Sequence, residues 1–302
     1  MQVACHFSFL FFRINSSVWN PYFTSQLSII YGIFVPMSKV ILITGASSGI
    51  GAITAIFLAD KGFKVYGTSR RPKEDHKGFD LIQLDVLDKS SIEKAVNGII
   101  QKEGRLDVLI NNAGMGITGP IEETPTEEVR RAFETNFFGA LEVIKAVLPQ
   151  MRQQRQGLII NVTSIAGYMG LPYRGIYSTT KGALEIVTES LSMEVKQFNI
   201  KVTNVAPGDF ATNIASGRYH TPVFKDSPYA EIYKKNLDLM DQHVDSGKDP
   251  ILIARQIYMI INDPSPKLHY KVGEVMQKFS IVLKRILPDR LYEKLIMKHY
   301  GM

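Results

Sequence analysis

Tyr177 and Lys181 lie four residues apart in the stretch "IYSTTKGALE" (176–185), whose pattern predicts a helix. Residues at this spacing share one helix face, so the ammonium group can stabilise a phenolate form of the tyrosine. A tyrosine activated in this way can donate a proton to a carbonyl oxygen or accept one from an alcohol. A solvated helix side would show the same pair, and the motifs elsewhere in the chain favour the chemical interpretation.

A cluster of glycines provides a second chemical signal, a site for phosphate groups. The stretch "TGASSGIG" (44–51) stands between a predicted buried strand, "KVILITG" (39–45), and a predicted helix. Glycines let the backbone turn tightly and approach a pyrophosphate, and the helix N-terminus offers unpaired N–H groups. The spacing differs from G-x-G-x-x-G and a plain tight turn is the alternative, but the position between strand and helix favours a dinucleotide. The predicted phosphate site consists of Gly45, Ser47, Ser48, Gly49, Ile50 and Gly51.

The end of the next predicted strand, "KVYGTSR" (64–70), indicates which dinucleotide binds. A site for NAD usually carries an acidic residue at this position, where it binds the ribose 2′-hydroxyl. This chain has Ser69, Arg70 and Arg71 instead, a hydroxyl and two guanidinium groups suited to a 2′-phosphate. The sequence therefore predicts NADP(H), with solvent-exposed arginines that bind no ligand as the alternative.

These motifs are embedded in alternating predicted strands and helices. After the first two strands come "DLIQLDV" (80–86), "LDVLINNAG" (106–114), "GLIINVTSIAG" (157–167) and "IKVTNVAPG" (200–208), separated by helices that include a long one from about 126 to 155. Short strands separated by helices of this length indicate parallel pairing with right-handed crossovers. We therefore expect an α/β fold, a doubly wound parallel sheet of the Rossmann type with helices on both faces.

The charge distribution divides the chain into three parts. The net charge is +6, yet residues 37–265 hold as many acidic as basic residues, and residues 266–302 hold eight Lys or Arg against three acids. We expect a catalytic domain over 37–265 and a basic, amphipathic C-terminal tail over 266–302. A tail of this kind suggests an anionic membrane surface or a partner protein rather than nucleic acid, and a solvated helix face is the alternative.

Residues 1–36 differ from the rest because they are rich in aromatic residues and contain Arg13 as their only charged residue. Their apolar runs, 7–12 and 27–35, are too short to span a bilayer. A second methionine, Met37, directly precedes the first predicted strand. We interpret 1–36 as an N-terminal extension, an over-long start assignment, with a weak membrane anchor as the alternative. The single cysteine, Cys5, excludes an intramolecular disulfide and fits a reducing, cytoplasmic setting.

Five motifs in order resemble the short-chain dehydrogenase/reductase family over about Ser38 to Ile261. They are "TGASSGIG", "NNAG" (111–114), Ser164 in "VTSIAG", "YSTTK" (177–181) and "APG" (206–208). The resemblance implies hydride transfer between a nicotinamide and a carbonyl or alcohol, with Tyr177 as general acid or base. It also implies that Lys181 binds the nicotinamide ribose and that Ser164 holds the substrate oxygen. Asn136 would hold a water in a proton relay.

Two of these catalytic residues have structural alternatives. Asn136 could serve only a kink in the long helix, and Ser164 could serve only as a cap of the segment that follows it. The resemblance implies further cofactor contacts, with Asn112 as a structural residue of the sheet. These predicted contacts are Asp85 and Val86 at the adenine, Asn111, Ala113 and Gly114 on the adenosine side, and Pro207, Gly208 and Thr212 near the nicotinamide. No metal is expected because the Cys and His spacing offers no ligand set.

The substrate is predicted from the two segments that follow the last shared motif. Region 209–245 interrupts the strand and helix alternation and is interpreted as a flap over a pocket or as a surface helical hairpin. The tail resembles those of family members that act on steroids, retinoids and other lipophilic substrates, and Pro288 and Asp289 are expected to end one helix and cap the next. The predicted apolar face of the tail comprises Phe279, Val282, Ile286, Leu291, Leu295 and Ile296.

That face could cover a lipophilic substrate, dock on a membrane, complete a homo-oligomer or pack onto the sheet. The resemblance implies a homo-oligomer formed through the long helix and the helix of Tyr177. The expected function is NADP(H)-dependent interconversion of a lipophilic carbonyl and its alcohol. The alternatives are a non-catalytic NADP(H)-binding regulator and a reductase of a small polyol, sugar or acyl thioester.

Overall fold

The computed structural model of the protein describes residues 38–72, 78–210, 217–245 and 247–302. The predictions about the N-terminal extension, 1–36, and about Thr212 lie outside the described residues. Lys39–Met302 form one compact unit, so the C-terminal tail belongs to the same unit as the strands and helices before it.

A seven-stranded parallel sheet forms the centre, in the order β3-β2-β1-β4-β6-β7-β9. This confirms the predicted doubly wound α/β fold. The chain runs outward from β1 to β3 and then resumes with β4 on the other side of β1. Ligands bind at such a point of reversal, at the carboxyl ends of the strands. The strands are β1 (Val40–Ile43), β2 (Lys64–Ser69), β3 (Asp80–Gln83), β4 (Val108–Asn111), β6 (Gly157–Val162), β7 (Ile200–Pro207) and β9 (His269–Val272), with a separate two-stranded pair of β5 (Ile117–Thr118) and β8 (Tyr219–His220).

Helices connect the strands and cover both faces of the sheet. The predicted helix from about 126 to 155 is present, but a π-helical turn at Glu134–Phe138 divides it into α3 and α4. Such turns occur frequently at functional sites. The helices are α1 (Gly49–Asp60), α2 (Lys89–Glu103), α3 (Thr126–Phe133), α4 (Gly139–Gln154), α5 (Gly175–Glu194), α6 (Ala230–Asp245), α7 (Ile251–Asn262), α8 (Val275–Ile286) and α9 (Asp289–His299), with short 3₁₀ turns at Ile165–Tyr168 and Lys196–Phe198.

Two apolar cores lie on opposite faces of the sheet because successive strand side chains alternate between faces. Val40 and Leu42 belong to the core under α2, α4 and α5, whereas Ile41 and Ile43 belong to the core under α1 and α7. All four side chains are buried, as expected for a central parallel strand covered on both sides. The rigid sheet fixes where its carboxyl ends, and the residues that follow them, must lie.

The C-terminal helices α8 and α9 form a hairpin that packs on the 3₁₀ turn after β6. Ile281 and Tyr292 join Ile165 and Met169 in a third, small apolar cluster. The apolar face was predicted with several possible contacts, and of its six residues only Ile296 packs against this cluster. The other five are exposed by 43–72%, namely Phe279, Val282, Ile286, Leu291 and Leu295.

The turn between the two hairpin helices also differs from the expectation. Pro288 is the cap position of α9, and Asp289 is the first helical residue, whose side chain makes no capping bond and instead pairs with Lys284 at 2.8 Å. Among the described residues no helix is both long enough and apolar enough to span a bilayer.

Candidate active site

The glycine turn after β1 has the backbone geometry that a phosphate site requires. Gly45 and Gly49 have positive φ angles of 67° and 57°, in the left-handed region that disfavours other residues. A Cβ on Gly51 would lie 2.3 Å from the Gly45 carbonyl oxygen and 2.5 Å from Asn112 Nδ2. The Ser48 side chain makes no capping bond to the first N–H groups of α1. An anion can therefore bind these N–H groups without displacing a side-chain cap.

Asn112 fixes this turn to the carboxyl end of β4. Its backbone N–H donates to Thr44 Oγ1 at 3.0 Å, and its Nδ2 donates to the carbonyl oxygens of Thr44 and Gly45, each at 3.0 Å. It therefore has the structural role that the sequence suggested. It also lines a large cleft next to the turn and a smaller cavity beside that cleft. Its type and position alone did not indicate that second role.

Asn111 corrects one predicted cofactor contact. Its side chain is buried and points into the core, where Nδ2 donates to Asn161 Oδ1 at 3.0 Å and to the Ala140 carbonyl at 3.3 Å. The reason is the alternation along β4, which turns consecutive side chains to opposite sides. Asn111 thus joins β4 to β6 and α4 and does not line the cleft.

The glycine turn opens into a large cleft with a volume of about 790 Å³. This volume lies in the range of protein sites that enclose sizeable organic ligands. Gly51, which was also predicted to be part of the phosphate site, does not line the cleft. The predicted cofactor residues that line the cleft are Gly45, Ser47, Ser48, Gly49, Ile50, Ser69, Arg70, Arg71, Asp85, Val86, Ala113 and Gly114.

The end of β2 presents cationic side chains to this cleft. Arg70 and Arg71 are exposed, and within the described residues neither makes an ion pair with a carboxylate. The Ser69 hydroxyl accepts a bond from the Arg71 N–H at 3.3 Å, which holds the turn together. Arg131 on α3 lines the same cleft and was missed by the sequence analysis. The donor set fits a phosphate group, because guanidinium groups form charge-assisted bonds to phosphate oxygens.

A smaller cavity of about 100 Å³ adjoins the cleft, with Asn112 and Gly114 lining both. Ser164, Tyr177 and Lys181 all line it, so the structure brings these three predicted catalytic residues together. Pro207 and Gly208 line it from the end of β7. The carboxyl ends of β6 and β7 and the first turns of α5 therefore build one site.

Lys181 is buried, with 5% of its surface exposed, and its Nζ donates to the Val162 carbonyl at 3.0 Å. Burial lowers the pKa of Lys181, although the neighbouring Tyr177 and Glu185 act in the opposite direction. The lysine is thus fixed one helical turn beyond Tyr177 and close to its ring. This geometry suits an ammonium group that stabilises negative charge on the phenol oxygen.

Asn136 occupies the π-helical turn and is 1% exposed. Its Oδ1 accepts from the Met115 N–H at 2.7 Å, and its Nδ2 donates to the Met115 carbonyl at 2.9 Å and to Thr180 Oγ1 at 3.1 Å. A Cβ on Gly114 would lie 3.1 Å from Asn136 Oδ1 and 3.4 Å from Lys181 Nζ. Asn136 thus serves the backbone, and the glycine leaves space beside both polar atoms.

Ser164 has the capping role that the sequence offered as the alternative, and its catalytic role stays a prediction. Its Oγ accepts from the Ala166 N–H at 3.2 Å, which caps the 3₁₀ turn, and lies 3.4 Å from the Pro207 carbonyl as a donor. The same residue lines the cavity. The cap fixes the position of the hydroxyl that a substrate oxygen would meet.

Arg174 is a cavity residue that sequence reasoning missed. Its guanidinium carbon lies 5.7 Å from the centroid of the Tyr177 ring, within the range of a cation–π contact. Burial disfavours the charged form of Arg174, yet its pKa is raised because Tyr300 and Asp209 stabilise the cation. Its position three residues before Tyr177, on the same helix face, was the available signal.

The C-terminal hairpin contacts the cavity at both of its ends. Gln277, in the first turn of α8, donates through Nε2 to Asp209 Oδ2 at 2.6 Å, and Asp209 lines the cavity. Tyr300, just after α9, is 7% exposed and lies near Arg174, whose cation it stabilises. No local sequence pattern indicated these contacts, since they join residues far apart in the chain.

The described part of region 209–245 also adjoins the cavity. Arg218 lines it, and β8 pairs with β5 beside it. Tyr233 on α6 is 1% exposed, and its hydroxyl donates to the Thr118 carbonyl at 3.0 Å. Tyr233 therefore packs into the interior, whereas residues 211–216, which include Thr212, lie outside the described residues.

A buried carboxyl group lies one turn beyond Lys181. Burial raises the pKa of Glu185 to about 7, against the effect of hydrogen bonds from Thr163 and Tyr168. Thr163 Oγ1 donates to Glu185 Oε1 at 2.9 Å, and the Tyr168 hydroxyl lies 3.2 Å from His269 Nδ1. Sequence reasoning missed this group, because a Glu on a helix is usually solvated.

Comparison with known proteins gives consistent relatives. A family model for short chain dehydrogenase matches residues 39–222. The chain is 42% identical over 265 residues to a 3-ketodihydrosphingosine reductase of Bacteroides thetaiotaomicron, covering 87% of this chain and 98% of the relative. It is 32% identical over 273 residues to an NADPH-dependent 3-dehydrocapnine reductase of Ornithobacterium rhinotracheale, covering 85% and 95%. A solved short-chain dehydrogenase from Streptomyces avermitilis has 33% identity and a TM-score of 0.73, covering 87% of this chain and 97% of that chain.

Proposed function

The chain belongs to the short-chain dehydrogenase/reductase family of oxidoreductases, and we propose that it is an NADP(H)-dependent reductase of a lipophilic ketone. The observation that carries this proposal is the convergence of Ser164, Tyr177 and Lys181 on one cavity, beside a cleft bordered by Arg70 and Arg71. The same site could oxidise the corresponding alcohol, because each proton transfer is reversible.

The cofactor supplies the hydride when it is bound, and the protein supplies the proton and the alignment. Tyr177 donates its proton to the substrate oxygen, and Lys181 stabilises the resulting phenolate. Ser164 holds the same oxygen by a hydrogen bond and stabilises the charge that develops on it. Asn136, together with the space beside Gly114, is proposed to hold a water that returns a proton toward Lys181.

NADP(H) is supported by the chemistry of the β2 end. The guanidinium groups of Arg70 and Arg71, with the Ser69 hydroxyl, would bind the 2′-phosphate, and Asp85 and Val86, which line the same cleft, would contact the adenine. The dehydrocapnine reductase relative is NADPH-dependent by name, which agrees with this proposal. A bare 2′-hydroxyl would leave both cations without a partner.

A lipophilic ketone as the substrate is supported by the relatives. Two relatives reduce the ketones 3-ketodihydrosphingosine and 3-dehydrocapnine, as their names state. A volume of about 100 Å³ holds only the reacting end of such a molecule, so its chain must extend outside. The same small volume favours a second candidate, the reduction of a small polyol, sugar or acyl thioester. The complete set of catalytic side chains disfavours a non-catalytic NADP(H)-binding regulator.

The oligomeric state and the location of the enzyme are also part of the proposal. A homo-oligomer is supported by large apolar side chains on the long helix and on α5, where Phe138, Ile186 and Met193 are exposed by 47%, 69% and 71%. We also propose a cytoplasmic location, which fits the single cysteine, Cys5.

Fluorescence titration with NADPH and NADH, followed by assays on long-chain amino ketones, other lipophilic ketones and small sugars, tests the function. We expect NADPH to bind more tightly than NADH. The double variant Arg70→Gln with Arg71→Gln should weaken NADPH binding roughly tenfold or more while leaving NADH binding unchanged.

Tyr177→Phe should abolish turnover but retain NADPH binding, whereas Tyr258→Phe, on α7 against Phe57, should retain both. Tight NADPH binding without turnover of any ketone or alcohol would favour the regulator.

A further inference from the structure

The side of α8 that points away from the fold carries an apolar stripe, defined as Val275, Phe279, Val282 and Ile286. These side chains are exposed by 72%, 48%, 43% and 72%. Their spacing places them within a narrow arc of the helix over a length of roughly 16 Å. Stripes of this kind usually pack against another surface, whereas 43–72% of each of these side chains stays exposed in the described structure.

The orientation of α8 is fixed by its opposite side. Ile281 is 2% exposed in the cluster that includes Met169 and Tyr292, and Gln277 bonds to Asp209. The stripe is therefore exposed because the helix is anchored through other residues.

The hairpin carries positive charge that its own acidic residues do not compensate. The two acidic residues of the hairpin are already paired, Asp289 with Lys284 at 2.8 Å and Glu293 with Arg290 at 2.8 Å. Four further basic residues of the hairpin make no ion pair within the described residues. They are Lys278, Arg285, Lys294 and Lys298.

We infer that the outer stripe docks on an anionic lipid bilayer, with its apolar side chains among the acyl chains and the hairpin cations at the headgroups. A basic helix with an apolar face binds such interfaces through buried apolar area and attraction to anionic lipid. A second copy of the chain would bring the same excess of positive charge to the contact. Residues 1–36 carry Arg13 and no acid, so they cannot balance that charge either.

Docking would bring the substrate cavity close to the bilayer surface. Gln277 and Tyr300 contact cavity residues from the inner side of the hairpin whose outer side carries the stripe. A lipid-soluble ketone could then pass from the membrane to the cavity along the hairpin. This consequence for substrate access rests on the proposed function, whereas the docking itself does not.

Sedimentation of the full chain with vesicles tests the inference. We expect binding to phosphatidylcholine vesicles that contain phosphatidylglycerol, weaker binding at high salt, and little binding to phosphatidylcholine alone. Phe279→Ser with Ile286→Ser should weaken vesicle binding by roughly tenfold or more, since two apolar side chains lose their insertion. Lys278→Gln and Arg285→Gln should each weaken it roughly fivefold. Met259→Ser on α7, where Met259 is 56% exposed, is the matched control and should bind normally.

Three outcomes would overturn the inference. They are failure of the full chain to bind anionic vesicles, equal binding to neutral and anionic vesicles, and equal loss of binding in Met259→Ser. Light scattering adds a further check, because a change of molar mass in the double serine variant would make the stripe an interface between copies. Vesicle binding does not require turnover, so its failure with NADPH-dependent activity intact would leave the proposed function standing.

Discussion

The glycine turn and the C-terminal hairpin meet at the same cavity but are held in place by different means. The turn is held by hydrogen bonds from the Asn112 side chain to its backbone carbonyls, and the Gly45 carbonyl and Asn112 Nδ2 leave no room for a side chain at Gly51. The hairpin is held by side chains, through the apolar cluster of Ile281 and Tyr292 and the bond from Gln277 to Asp209, and much of its apolar surface is exposed. The cofactor side should therefore tolerate little change, whereas the hairpin should tolerate change everywhere except at its inner contacts.

The largest effect on cofactor binding is expected for Gly51→Ala. The new Cβ would approach backbone and the side chain of Asn112 within 2.3–2.5 Å, so the turn must shift. We expect a loss of about 1–3 kcal/mol in the free energy of unfolding and markedly weaker NADPH binding. Urea denaturation and NADPH fluorescence titration measure the two effects.

Gly98→Ala is the matched control for that substitution. Gly98 lies within α2, and a Cβ there would meet nothing within 4 Å. Alanine is favoured over glycine in a helix interior, so this variant should gain about 0.5–1 kcal/mol. If Gly51→Ala bound NADPH as tightly as Gly98→Ala does, the turn would not be the rigid element described above.

The buried carboxyl group of Glu185 should make the free energy of unfolding depend on pH. Its pKa of about 7 lies above the ordinary value of 4.5, so the native state retains a proton that the unfolded chain releases earlier. The native state therefore loses stability as pH rises from about 4.5 through 7, by roughly 3 kcal/mol. Glu185→Gln removes this loss and keeps an acceptor for Thr163.

Urea denaturation of wild type and Glu185→Gln at several pH values measures this effect. The charged and titratable groups that face Glu185 are Lys181 and Glu189 on α5, Tyr168 on the 3₁₀ turn and Lys271 on β9. The two proteins should differ least near pH 5, and the variant should become relatively more stable as pH rises toward 8. A difference that does not change with pH would mean that Glu185 ionises normally in the native protein.

The order of strands and helices could be predicted because hydrophobic period and glycine position are local properties of the chain. The same holds for the predicted residues that follow strand ends, since parallel strands bring their carboxyl ends to one edge. The division of roles between Asn111 and Asn112 was not predictable, because it depends on which of two consecutive side chains faces the core. The contacts of Arg174 with Tyr300 are tertiary and leave no local signal.

The hairpin shows the same limit in another form. Helical periodicity identified an apolar face, but it could not show which side of each helix would pack. Ile281 and Tyr292 are the residues that pack because they contact the surface formed by Ile165 and Met169. The helical pattern of the tail contains no information about that surface. The outer stripe, most of which belongs to the predicted apolar face, is exposed in the structure.

An intermediate effect is expected for Tyr300→Phe at the inner side of the hairpin. The variant removes the phenol oxygen that stabilises the Arg174 cation, whose guanidinium carbon lies 5.7 Å from the centroid of the Tyr177 ring. Loss of one such polar contact costs about 0.5–1.5 kcal/mol, so we expect kcat/KM for the ketone to fall severalfold. NADPH affinity should not change, because Tyr300 lines neither the cleft nor the glycine turn.

Tyr292→Phe separates this effect from simple destabilisation of the hairpin. The Tyr292 hydroxyl lies 2.9 Å from Ser280 Oγ and 2.9 Å from Met169 Sδ, neither of which lines the cavity, so its loss should lower stability by a similar amount without reducing kcat/KM. Steady-state kinetics with urea denaturation compares the two variants. An equal fall of kcat/KM in both would mean that Tyr300 acts only through the stability of the hairpin.

The smallest effect is expected for Ile286→Ser on the outer stripe. Ile286 is 72% exposed, so in the absence of lipid its replacement should change the free energy of unfolding by no more than about 0.5 kcal/mol. Ile281→Ala, five residues earlier on the inner side of the same helix, removes a side chain that is 2% exposed and should cost about 2–5 kcal/mol. Urea denaturation without lipid compares the two variants directly. A clear loss of stability in Ile286→Ser would show that the stripe is already covered in the protein alone, by its N-terminal residues or by a second copy, and the stripe would then not be open to a membrane.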